Sequence, residues 1–180
     1  MKALRAYLAN GRGSAAIEFA LVLGMLTIPL MSVIDLGMYT YDKMQVRSAA
    51  QVAAQSVWAT CSSSSNWPVT QYCRSWQSGI NTSAQLTSLA SNVTVSSVVD
   101  GYYCVNGSGI LTAIGSTGTF ASPLTATAPT SCGSGTWETT TPYEFVTVTV
   151  SYTYAPVFGG ISVANLLPTS MTATSTMQVK

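Results

Sequence analysis

Between Phe19 and Ile34 sixteen residues pass without a charge, and three basic residues, Lys2, Arg5 and Arg12, precede them with no acid among them. This stretch constrains the fold of the chain more than any other, because an uncharged apolar run is a candidate membrane helix and its flanking charges set its direction. The charge bias predicts a cytoplasmic N-terminus with the remainder sent across the membrane. As a helix, sixteen residues reach only about 24 Å, short of the roughly 30 Å hydrocarbon core. Extension back to Ser14 gives about 31 Å but takes in Glu18, and extension forward passes Asp35. Either way a carboxylate sits at or inside the boundary, where an ionised acid costs on the order of a few kcal/mol and needs a partner or a task. A secretory signal peptide shares the basic start and apolar middle, but "TIPLMSVIDLG" offers no small-residue cleavage site behind the run. The expectation is a retained anchor.

Composition narrows the chemistry. Charged residues make up 7% of the 180, against roughly 25% in an average soluble domain, and a net charge of +1 provides no basic field for nucleic acid. There is no histidine, which removes Ser-His and Cys-His nucleophile pairs and most zinc sites. The acids are Glu18, Asp35, Asp42, Asp100, Glu138 and Glu144, and no two are spaced as an obvious catalytic pair. The chain is therefore expected to have no catalytic residue, no metal and no cofactor. An enzyme reading would require the fold to gather Asp100, Glu138 and Glu144 in one cleft.

Along the chain, Pro29 lacks the N–H that would bond the Met25 carbonyl, and Gly24 adds backbone freedom, so a kink or local loosening is expected there. Ordinary tolerance of Gly and Pro in membrane helices accounts for the pair equally well. From Tyr39 to Ala59 the period is helical, with Val46, Ala50, Ala53 and Val57 on one stripe and Arg47, Ser48, Gln51 and Gln55 on another. "CSSSSNWP" reads as a helix end entering a loop, and a short helix is predicted around Ser83 to Ala90, with Leu86, Leu89 and Ala90 on one side. A strand begins at Val93 and Val95. The region from Asp100 to Thr141 reads as long loops with short strands. Strict alternation from Glu144 to Tyr154 predicts a half-buried strand, with Val146, Val148, Val150, Tyr152 and Tyr154 facing one way. A second alternating run, Met171 to Val179, is expected to pair with it antiparallel. The fold class is thus α+β: a long N-terminal helix packed on a small antiparallel sheet.

Cys61, Cys73, Cys104 and Cys132 all lie beyond the anchor, and an even count in an oxidising compartment reads as two disulfides with three possible connectivities. Nearest-neighbour pairing is preferred over the other two. A four-cysteine zinc site lacks CxxC spacing. Asn81, Asn92 and Asn106 each open an N-x-[ST] match, expected by chance in a chain so rich in Ser and Thr. Trp58, Trp67, Trp76 and Trp137, with Tyr102 and Tyr103, read as packing aromatics, a sugar-binding platform being the alternative.

"GSAAIEF" resembles the processing site of type IV pilin precursors, in which a basic leader ends in Gly and Glu is the fifth residue of the mature chain. Within that group, the wording from Arg12 to Gln55 is similar to that of TadE-like pseudopilins of tight-adherence (Tad, or Flp) pilus systems, and "VTVTVSYTYAPVFGG" with "LPTSMTATSTMQV" resembles their C-terminal end. The chain is longer than the small major pilins of these systems, has Phe19 where they tend to carry Tyr, and lacks the "FTLIE" wording of type II secretion pseudopilins.

The resemblance implies cleavage between Gly13 and Ser14 by a prepilin peptidase, and pairing of Glu18 with the freed Ser14 amine or with that of a neighbouring subunit. It also implies partial melting of the helix near Gly24 and Pro29. The implied partners are other pilins and pseudopilins, the peptidase and an inner-membrane assembly platform. The expected layout is a leader over 1–13, a membrane helix over 14–36, an amphipathic continuation over 37–60 and an exported domain over 61–180, in a single-pass bacterial inner-membrane protein that also enters the pilus. A minor pilin that initiates or caps the fibre is the expected function. A singly anchored periplasmic or surface binding protein that enters no fibre is the alternative.

Overall fold

The structure, a computed structural model, describes residues 11–63, 67–125, 127–137 and 141–179. Lys2, Arg5 and the rest of 1–10, together with Glu138, lie outside them. A 51-residue helix, α1 (Gly11–Cys61), is followed by α2 (Val69–Tyr72), a 3-10 turn at Arg74–Trp76, and α3 (Gln77–Ala84). Four strands follow: β1 (Val93–Val105), β2 (Leu111–Thr119), β3 (Tyr143–Thr153) and β4 (Ser170–Gln178). They form one antiparallel sheet in the order β2-β1-β3-β4. The α+β expectation holds.

The chain divides into two compact units. One comprises the residues up to Tyr41 with Ala155–Pro168, and the other Asp42–Tyr154 with Thr169–Lys180. In the second unit the helical period of the sequence is realised. Val46, Ala49, Ala50, Ala53, Ala54 and Val57 are buried where α1 packs on the sheet, while Arg47, Ser48, Gln51 and Gln55 are exposed. On β3 the buried inner face of the sheet is Val146, Val148 and Val150. Tyr152 donates its hydroxyl to Asp42 of α1 at 3.2 Å. The β3–β4 pairing follows the two alternating runs, from Phe145 opposite Gln178 to Thr153 opposite Ser170.

Three segments differ from the sequence reading. The helix expected at Ser83–Ala90 lies at Gln77–Ala84, because Ile80 and Ala84, one turn apart, supply the buried pair, whereas Leu86 is 76% exposed. The strand begun at Val93 runs on to Val105, past Asp100 and Gly101, with a bulge between Val95 and Ser97 that resets the alternation. β2, "LTAIGSTGT", is a mostly exposed edge strand and carries no apolar alternation to betray it.

The disulfides are Cys61–Cys73 and Cys104–Cys132, with Cα separations of 5.9 and 6.0 Å. The nearest-neighbour preference is the pairing found. The first bridge ties the end of α1 to the end of α2, and the second ties β1 to the long 120–137 connection.

Candidate membrane anchor and the buried carboxylates

The first unit exposes what a water-soluble domain hides. Ile17, Phe19, Leu21, Val22, Leu23, Met25, Leu26, Ile28 and Leu30 are all more than half exposed on α1. A helix that is apolar around its circumference and unburied by its own chain fits a lipid or protein-bundle environment better than the core of a soluble fold. Its few polar side chains turn back on the helix: the Thr27 hydroxyl donates to the Leu23 carbonyl at 2.7 Å and that of Ser32 to Ile28 at 3.0 Å. Gly24 and Pro29 lie inside continuous helix. Gly13 and Ser14 belong to its first turns, and Glu18 is on its exposed surface.

Asp35 is fully buried, an outcome the sequence did not signal. The connection between β3 and β4 wraps over it. Val157 donates its N–H to Asp35 Oδ1 at 2.9 Å, and Phe158 lies 3.3 Å from Oδ2. Three residues earlier on α1, the Ser32 hydroxyl accepts from the Val163 N–H at 3.4 Å. Backbone amides thus satisfy the carboxylate that the length argument placed near the boundary.

In the second unit Asp100 of β1 and Glu144 of β3 come together, also fully buried, and cap the start of α2. Glu144 Oε1 accepts from the Val69 N–H at 2.9 Å, and Asp100 Oδ2 from the Thr70 N–H at 2.8 Å. The Thr70 hydroxyl donates to Asp100 at 2.8 Å and accepts from the Leu124 N–H at 3.1 Å. Burial pushes the Asp100 carboxyl above its ordinary range, against the Thr70 bonds that lower it. Tyr102 on the same face is pushed up to about 12 by burial, then by the negative charges of Glu144 and Asp100. Gly118, opposite Asp100 in the sheet, has no room for a side chain: a Cβ there would meet the Leu124 N–H and stand 2.6 Å from Asp100 Oδ1. Through Glu144 Oε1 and the two Asp100 oxygens, which hold the first amides of α2 and the Thr70 hydroxyl, the two carboxylates form a structural cap. Clefts of about 380 and 460 Å³ on this unit are lined by neutral side chains such as Gln77, Asn81 and Phe120 in one, and Thr130 and Tyr143 in the other.

The remaining sequence candidates have local structural roles. Asn81 accepts from the Val95 N–H, and Asn106 accepts from Ser108 and Ile110 to shape the β1–β2 turn. Trp67 donates its ring N–H to the Cys61 carbonyl at 3.2 Å, and Tyr103 packs edge-on against Phe145. Trp137 bridges to Asn106, while Trp58 is half-exposed on α1.

Among the described residues, one exposed apolar helix that continues into a disulfide-bonded α+β unit fits a membrane-anchored class of protein. Residues 13–55 match the family model described as TadE-like protein, which bears out the resemblance over most of α1, and the match ends before the sheet. No curated protein and no solved structure matches the chain.

Proposed function

We propose that this chain is a minor pilin or pseudopilin of a Tad-type pilus, anchored in the inner membrane by residues 14–36 and processed after Gly13. The observation that carries this reading is the coincidence of the TadE-like match with the exposed apolar part of α1. Its role is structural: the helix inserts among neighbouring apolar helices, and the disulfide-bonded unit is displayed beyond them. Cleavage would place the Ser14 amine four residues before Glu18, one helical turn away on the same face. An amine–carboxylate pair, within one chain or between neighbours, offsets two charges that are costly in an apolar bundle. The partners of this reading are other pilus subunits, the prepilin peptidase and the assembly platform.

Mass spectrometry of the protein from cells that carry the peptidase should show a chain beginning at Ser14; intact Met1 would overturn the processing step. Glu18→Ala should reduce pilus assembly while leaving the protein in the membrane. Unchanged piliation would favour a singly anchored binding protein instead.

A further inference from the structure

The first unit has its polarity inverted. Its buried residues include Ser32, Asp35, Ser162 and Ala164, whereas Val157, Ile161, Val163 and Leu166 of the Ala155–Pro168 segment are 63, 57, 51 and 87% exposed. The segment directs backbone N–H groups inward, to Asp35 and Ser32, and apolar side chains outward. In water this arrangement forfeits the burial of four large apolar side chains; against hydrocarbon it is the favourable one, because no water is present to satisfy backbone groups turned outward. Ser32 and Asp35 lie in the last turns of the 14–36 span, so their hydrogen bonds hold the segment level with one boundary of that span. No residue from Phe145 to Val179 is charged, so no formal charge on the segment opposes entry into an apolar layer or requires anionic headgroups.

We propose that Ala155–Pro168 is a second membrane contact, a short collar seated in the interfacial layer of the bilayer beside α1, with Val157, Ile161, Val163 and Leu166 in the acyl region. The inference rests on the reading of 14–36 as a membrane span. The collar also shields the Asp35 carboxylate where the helix leaves the hydrocarbon.

Because all four native cysteines are bridged, an introduced cysteine provides a single labelling site. Full-length Leu166→Cys and Ile161→Cys variants, and Met25→Cys as a marker of the span, are labelled with an environment-sensitive fluorophore. They are reconstituted in phosphatidylcholine vesicles with nitroxide lipids. The collar labels should show blue-shifted emission and lose most of it to nitroxides near the headgroup, independently of salt. The Met25 label should be quenched best by deeper nitroxides. Quenching at Met25 with iodide-accessible, unquenched labels at Leu166 and Ile161 would overturn the collar alone. Absence of quenching at Met25 would overturn the span reading and the collar with it. Energy transfer between collar labels that rises with the protein-to-lipid ratio, without lipid quenching, would assign the surface to a second copy of the chain and also overturn the proposal.

Discussion

Thr70→Val should be far more damaging than its volume-conserving nature suggests, and its cost should depend on pH. Thr70 is fully buried, and its hydroxyl joins the Asp100 carboxylate to the Leu124 N–H. Valine keeps the shape and the backbone bond from Thr70 N–H to Asp100 but removes both hydroxyl bonds. An orphaned buried N–H costs about 1–3 kcal/mol, and losing a hydrogen bond to a buried charge costs about 1.5–3 kcal/mol. The sum at neutral pH is about 2.5–6 kcal/mol, which reaches into the upper tail of point substitutions.

The sign of the pH dependence follows from Asp100. Its folded carboxyl titrates above its unfolded one, so the folded state holds the proton longer and Asp100's contribution to stability falls as pH rises from the unfolded value, near 4, through the raised folded one. The Thr70 hydroxyl favours the charged form, so removing it raises the folded value further. The cost of Thr70→Val is therefore largest above that window and shrinks as pH falls through it, toward the about 1–3 kcal/mol owed to Leu124 alone. Denaturant unfolding of the full chain in detergent, followed by tryptophan fluorescence at pH 7 and pH 4, measures both quantities. The same substitution in an Asp100→Asn background should lose its pH dependence. A cost under about 1 kcal/mol at pH 7, or an equal cost at both pH values with Asp100 present, would refute the cap as described.

Two further outcomes follow from the same unit. Tyr102, with its hydroxyl pushed up to about 12, should titrate well above the ordinary tyrosine value in absorbance at 295 nm. Its contribution to stability is intact below the ordinary value near 10 and is lost as pH climbs toward 12, so Tyr102→Phe should reduce the alkaline loss of structure. Replacing both cysteines of Cys104–Cys132, 28 residues apart, should cost about 3.5 kcal/mol, and those of Cys61–Cys73, 12 apart, about 3 kcal/mol, as read from denaturation midpoints of serine pairs.

What was legible in the sequence was whatever a single period or spacing encodes. The Val146–Val148–Val150 face, the Met171–Val179 run and the alanine stripe of α1 each bury one side of one element, so their pattern survives in one dimension. β2 escaped because an exposed edge strand has no buried face to record. The start of β1 at Val93 was legible, but its continuation to Val105 escaped because a bulge after Val95 shifts its phase and Asp100 occupies an inward position that a hydrophobic pattern scores as polar. The cap was invisible for a related reason: Asp100, Glu144 and Thr70 are separated by 30 and 75 residues along the paths that join them to α2, and only the β1–β3 register brings the acids together. The buried inward phase of Glu144, shared with Val146, was the one available clue. For the anchor, charge and length carried the reading, while the shielding of Asp35 depends on a loop more than 120 residues away.

The two ends of the apolar run place their carboxylates in different surroundings, and under the proposed pilus role this bears on which of them meets a change during assembly. Asp35 is enclosed and satisfied by amides of its own chain, so exchanging one neighbouring helix for another leaves its surroundings intact. Glu18 lies on the exposed surface of the same helix, where the identity of the neighbour decides what it meets. A subunit that moves from lipid into a fibre changes every contact on that surface and few of those around Asp35. A charge meant to sense or select a neighbour is therefore better placed at Glu18, and one meant to mark where the helix leaves the bilayer is better placed at Asp35. On this argument Asp35→Asn should act through the conformation of the Ala155–Pro168 segment, whereas Glu18→Ala should act through subunit addition, and only the second defect should be specific to assembly.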